Sequence, residues 1–150
     1  WGFVGFFAYG VFKAVEDLEQ LEESSFLRFE VLFALAFIIL LMLRFLYMKR
    51  TQKTSLPDST AKMQKIAAKI VHFGMYLTLG SIALTGLLIG MLFQFGFHDG
   101  LIIETVIVIH ELGIPIMYWL IGIHVGAAIF HRFLKDGVWD SMVPFWKENK

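Results

Sequence analysis

Residues Leu101–Phe130 read LIIETVIVIHELGIPIMYWLIGIHVGAAIF, and His131 follows directly. Glu104 and Glu111 are the only acidic or basic side chains in this stretch apart from its histidines. A helix crosses the hydrocarbon core of a bilayer with about 20 apolar residues, so the run is long enough to span. From His110 to His124 is 14 residues, four turns less about 40°, and from His124 to His131 is 7, two turns less about 20°. The three imidazoles are therefore expected on one helix face. Polar side chains at membrane depth are costly and usually mark function.

Outward from this segment, Phe26–Met48 and Ile66–Phe97 are also long enough to span. A further apolar stretch, Trp1–Val15, has only 15 residues and opens without Met. The sequence is expected to begin inside its first helix; a cleavable signal peptide is the rival reading, but a basic n-region and an A-x-A site are both missing. The composition agrees with a membrane protein: 57% hydrophobic, 17% charged, 16 Phe and a mean hydropathy of +0.68, where soluble domains carry about 25% charged residues. Thirteen Lys and Arg balance thirteen Asp and Glu, so the basic footprint of a nucleic-acid binder is missing. With no Cys, disulfides, thiolate metal sites and Cys-linked haem are excluded. The expected fold is an all-α membrane protein: a four-transmembrane-helix up-down bundle, its first helix truncated at the N-terminus, with residues 1–150 as one domain.

Loop charges set the expected orientation. Glu16, Asp17, Glu19, Glu22 and Glu23 lie between the first two stretches. Lys49, Arg50, Lys53, Lys62 and Lys65, against Asp58 alone, lie between the second and third. Arg132, Lys135, Lys147 and Lys150 follow the fourth. Short cytoplasmic loops collect Lys and Arg, so both termini and the Lys49–Lys65 loop are expected in the cytoplasm.

Of five histidines, His98 sits in the turn Phe97-His98-Asp99-Gly100 and reads as a solvated loop residue. His72, His110, His124 and His131 lie within spans or at their ends. Zinc needs ligands gathered in one coordination sphere, as in i, i+4 pairs. The 14-residue gap between His110 and His124 corresponds to roughly 21 Å of rise, which suits two haems stacked across one membrane, each taking one axial His per helix. Small residues must line a flat macrocycle, and Gly122, Gly126, Ala127 and Ala128 surround His124 in sequence. Gly86/Gly90 and Gly122/Gly126 read equally well as plain helix-packing pairs.

These residues resemble a family, the prokaryotic di-haem cytochrome b561 proteins, which include the superoxide oxidase type. The fourth stretch, His110-Glu111 through Gly122-Ile123-His124-Val125-Gly126-Ala127-Ala128 to His131, is similar to the family's H-E-x11–12-H-x-x-A-A-x-x-H pattern. Lys135-Asp136-Gly137-Val138 and Met142-Val143-Pro144 resemble its Asp-Gly…Met-x-Pro ending. Ala67-Ala68-Lys69-Ile70-Val71-His72, then Tyr76-Leu77 and Thr85-Gly86, resembles its third helix, and Leu43-Arg44-Phe45-Leu46 the end of its second.

The resemblance implies haem b with His124 and His110 as iron ligands, His124 on the cytoplasmic side. The helix-one ligand, a His followed by Trp, would fall immediately before Trp1. The outer haem's second ligand maps to Glu30, and the second stretch holds no His. Three readings stay open there: the outer haem is absent and Glu30 pairs with His110, it is five-coordinate on His110, or another chain supplies a ligand. In the absent-haem reading, Phe29, Phe33, Phe37, Met117 and Tyr118 are expected to fill part of the space. His72, His131, Arg44 and Lys69 are placed by the resemblance near the inner haem, its propionates or a quinone; interfacial anchoring and snorkelling explain them equally well. The implied function is electron transfer between a redox partner and membrane quinone in the bacterial inner membrane, as a quinone-linked oxidoreductase or an electron-transfer subunit of the respiratory chain. A superoxide oxidase role is disfavoured by the acidic outer loop, which repels an anion. The alternative is a haem-depleted structural or anchoring subunit of a larger membrane redox complex. Expected partners are lipid, quinone and a redox subunit, with no nucleic acid.

Overall fold

The computed structural model describes residues 2–13, 24–51, 56–57, 60–143 and 146. They form five helices and no strand: α1 (Gly2–Lys13), α2 (Ser24–Thr51), α3 (Lys62–Gln94), α4 (Leu101–Leu134) and α5 (Val138–Met142). Three segments, Val31–Arg50 in α2 and the whole of α3 and α4, are long and apolar enough to cross a membrane. With 12 residues, α1 is shorter than a crossing, so the expected fourth span is not among them.

The sequence sets the helix ends through caps. At the start of α3 the Ala61 N–H donates to Gln64 Oε1 at 3.2 Å, one arm of a capping box. At its end Gly96 adopts φ +85°. The Phe97 N–H bonds to the Leu92 carbonyl at 3.0 Å and the Gly96 N–H to that of Phe93 at 3.1 Å. These two bonds are the Schellman pattern, and they stop α3 at Gln94 rather than at the expected Phe97. Gly100, at φ +99°, then starts α4, so α3 and α4 pack as an antiparallel hairpin. Beyond α4, Lys135 and Gly137 both take left-handed backbone, and the chain folds back into α5, a short helix that the hydropathy pattern does not signal.

All four longer helices meet at one cluster: Phe7 from α1, Phe37 and Leu41 from α2, Leu79 and Ala83 from α3, and Met117 from α4, which is wholly buried. Phe7 meets Tyr118 edge-on at 5.7 Å, and Tyr9 lies 6.1 Å from Phe33, so α1 rests on both α4 and α2. The outward faces are apolar instead, with Leu32, Leu43, Ile70, Phe73, Leu77 and Trp119 all exposed. An apolar surface of this extent, facing away from the core, is what lipid covers. Phe93 and Ile103 close the α3–α4 pair near its turn, and Ala128, Trp139 and Val143 close it at the α5 end.

Candidate functional site

The helical arithmetic places His110, His124 and His131 on one face of α4, and all three turn toward α3 or the α5 end. His110 Nδ1 lies 3.0 Å from the Ile82 carbonyl oxygen and 3.1 Å from Thr85 Oγ1, both on α3. Gly86 lies against the same ring: a Cβ there would be 3.2 Å from His110 Cε1. The ring is thus seated on α3 by one carbonyl, one hydroxyl and a missing side chain.

Four turns away along α4, the His124 ring lies 5.0 Å from that of His72 on α3, inclined by 57°. Arg44 of α2 reaches the same end of the bundle, donating from Nε to Tyr76 Oη at 2.8 Å, and Tyr76 lies one turn beyond His72. Lys69 is exposed. His131 is the one buried polar side chain among the described residues, and its Nδ1 lies 2.6 Å from Asp136 Oδ2. The other carboxylate oxygen, Oδ1, accepts the Val138 N–H at 3.1 Å. Asp136 therefore ties the last turn of α4 to the first turn of α5. Desolvation pushes the Asp136 carboxyl up, but the hydrogen bonds from His131 and Val138, with the imidazole's charge, outweigh it and hold the group below the usual carboxylate range.

Against His124 and His131 lies a cavity of about 140 Å³. Ala67, Ala68 and Val71 of α3 face Ala127 of α4 across it, with His124 and His131 on its wall and Val138 at its α5 end. The small residues that matter at His124 are therefore Ala127 and the alanines of α3. Gly122 and Gly126 are exposed, and a Cβ on either meets nothing within 4 Å. The reason is angular: two residues along a helix is a rotation of about 200°, so both glycines face away from His124.

His72, His124, His131 and Arg44 thus gather at the α5 end, while His110 stands apart toward the α3–α4 turn. Glu30 lies in α2, and its side chain is outside those described. Of the aromatic and Met residues expected near it, Phe37 and Met117 are buried in the core, Phe29 and Phe33 stack at 5.9 Å, and Tyr118 is half exposed. His98, expected as a solvated loop residue, is exposed but stacks on Phe93 at 4.3 Å. Asp136, Tyr76, Thr85 and the Ile82 carbonyl are neighbours of the site that the histidine spacing did not reveal. The Asp-Gly pair five residues after His131 was the available signal for the first.

The donor chemistry fits a haem-type iron. Imidazole is its common axial ligand, and a ligating His typically gives its second ring N–H to a carbonyl or carboxylate. His110 has such a partner in Ile82. His72 and His124 do not bracket one iron as they stand. Two nitrogens opposite each other on a metal, each at about 2 Å, hold their ring centres further apart than the observed 5.0 Å. The 140 Å³ cavity is below the roughly 300–1,000 Å³ of a drug-sized pocket, so it takes the edge of a large group and not the whole of one. Among the described residues no cluster of three or more His, Asp or Glu side chains could hold a bare metal ion.

A family model described as prokaryotic cytochrome b561 matches residues 1–145. No curated protein and no solved structure matches the chain.

Proposed function

Because the chain belongs to the prokaryotic cytochrome b561 family, membrane proteins that transfer electrons through haem b, we propose that it carries single electrons between a redox partner and the membrane quinone pool. When bound, haem supplies the one-electron couple. In this reading His124 and His110 hold the iron, His124 at the α5 end of the bundle and His110 at the turn end. Arg44 and His72 gather beside His124 and offer a cation and an imidazole to haem propionates or a quinone headgroup. His131, fastened by Asp136, holds α5 across the end of the cavity and limits the water that reaches it. The apolar walls keep the site at low dielectric, one of the levers on potential. The loop charges orient the protein with both termini in the cytoplasm, and residues 1–150 act as one domain.

The observation that carries this reading is the His stripe of α4, turned inward along its length. The test is His124→Leu. The reduced-minus-oxidised spectrum of membranes is expected to lose the b-type α-band of the haem at that end; an unchanged band and unchanged haem content would refute the assignment.

A second reading follows from Glu30. With a carboxylate where the family places the second outer ligand, and no His in α2, one haem is bound rather than two, or the chain serves as a haem-depleted anchoring subunit. Haem-to-protein stoichiometry separates these cases: two haems support ligation at both His124 and His110, one supports loss of the outer haem, and none leaves the scaffold.

A further inference from the structure

We propose that Thr85, the Ile82 carbonyl and Gly86 form a seat on α3 that fixes the tautomer of His110 and leaves its Nε2 as the free, ligating nitrogen. This deepens the proposed function, since it rests on His110 being an iron ligand.

The argument begins with which groups can donate. A carbonyl oxygen only accepts. The Thr85 hydroxyl has one hydrogen, and its shortest acceptor is the Ser81 carbonyl at 2.7 Å, with Ile82 O at 3.1 Å. With that hydrogen spent on its own helix, Thr85 Oγ1 meets His110 through a lone pair. Nδ1 of His110 then faces two oxygens, Ile82 O at 3.0 Å and Thr85 Oγ1 at 3.1 Å, and both accept. The proton of the neutral ring therefore sits on Nδ1, shared between them. The opposite tautomer would set a bare nitrogen lone pair against a carbonyl oxygen inside a half-buried contact, which costs a hydrogen bond and adds repulsion.

Gly86 supplies the room. A Cβ there would approach His110 Cε1 to 3.2 Å, tighter than ordinary contact, and Cε1 is the ring atom between the two nitrogens. A Cβ at 86 would make the ring give by a few tenths of an ångström, loosening its contacts with Ile82 and Thr85. Thr85 and Gly86 are thus positioning residues, acting on iron only through His110. An Nδ1–H donated to oxygen makes a ligating imidazole more basic, and fixing which nitrogen is protonated decides which can bind metal.

The test uses the full chain in lipid bilayers, labelled with 15N-histidine and reduced under carbon monoxide, so that haem is diamagnetic whether five- or six-coordinate. The His110 signals are identified by their loss in His110→Gln. The expected result is a protonated Nδ1 and an unprotonated Nε2. Thr85→Val should shift the Nδ1 resonance, and Thr85→Ser should restore it. An Nε2-protonated ring in the wild type, or a Thr85→Val spectrum identical to wild type, would overturn the seat. The ligand half is tested separately. If His110→Gln removes a haem band, Thr85→Val should raise the midpoint potential of that haem and Thr85→Ser should not. If haem content is unchanged in His110→Gln, the ligand assignment fails while the nitrogen signals still decide the seat.

Discussion

Replacing Gly113 by Ala tests how closely α3 and α4 approach. A Cβ at 113 would lie 2.6 Å from Ile82 Cγ1 and 3.2 Å from Cδ1. Ordinary carbon contacts begin near 3.5 Å, so one of the helices must yield by nearly 1 Å at the first atom. Cγ1 is bonded directly to the Ile82 Cβ and cannot swing away as a chain end would. Overpacking of this kind costs about 1–3 kcal/mol, offset by up to about 1 kcal/mol because Ala is the better helix former. At this chain length 1 kcal/mol moves a melting point by roughly 2–4 °C, so the purified protein should melt several degrees lower. Gly122→Ala is the control. A Cβ there meets nothing within 4 Å, so only the propensity gain remains and its melting point should hold or rise. Ile82→Ala removes the clashing atom, and the double variant Gly113→Ala/Ile82→Ala should be more stable than the two single losses sum to. Equal melting points for Gly113→Ala and Gly122→Ala, with no coupling to Ile82, would refute this account of the α3–α4 contact.

Asp136 gives a pH prediction. Its carboxyl lies below the usual range in the folded chain, so its contribution to stability is present above the unfolded carboxylate pKa and is lost as pH falls through the lower folded value. Melting curves of the wild type should drop across that acidic window, and Asp136→Asn should flatten this part of the profile; an unchanged profile in the variant counts against the His131–Asp136 tie. Tyr76→Phe removes the acceptor of Arg44 Nε at an exposed position, so stability should change by less than about 1 kcal/mol, measured by thermal melting, while a large loss would count against a weak, exposed bond. If a basic soluble partner docks at the acidic Glu16–Glu23 stretch, its association rate should fall as salt rises, because exposed charges are screened over about 8 Å at physiological ionic strength; a rate independent of ionic strength speaks against docking there.

The long helices and the inward turn of the α4 histidines were legible because each depends on local periodicity. Hydropathy found α2, α3 and α4, and rotation per residue placed His110, His124 and His131 on one face. What the sequence hid is of another kind. Gly122 and Gly126 neighbour His124 in the chain but lie across the helix from it, so adjacency misled where angle would have helped. The Phe97 end of the third stretch failed because Gly96 leaves the helix by positive φ while the residues after it stay apolar. The five residues of α5 are too few for periodicity to register. The His72–His124 contact and the seat of His110 on Thr85 and Ile82 join positions far apart in the chain, and only the pairing of α3 with α4 makes them neighbours.

That pairing gives the six residues from Phe95 to Gly100 a role out of proportion to their chemistry. Thr85 and His110 sit at equal distances along the chain from the Phe97–His98 bond, and His72 and His124 do so to within one residue. The turn works as the fold of a carpenter's rule: where it creases decides which marks on the two arms coincide. A residue gained or lost within α3 or α4 between the crease and His110 would slide the arms by about 1.5 Å and rotate one by about 100°. Both histidine contacts, near the crease and far from it, would go out of alignment together. Spacing measured from this turn is therefore inherited by every pairing along the hairpin, and drift in length is tolerable only outside it.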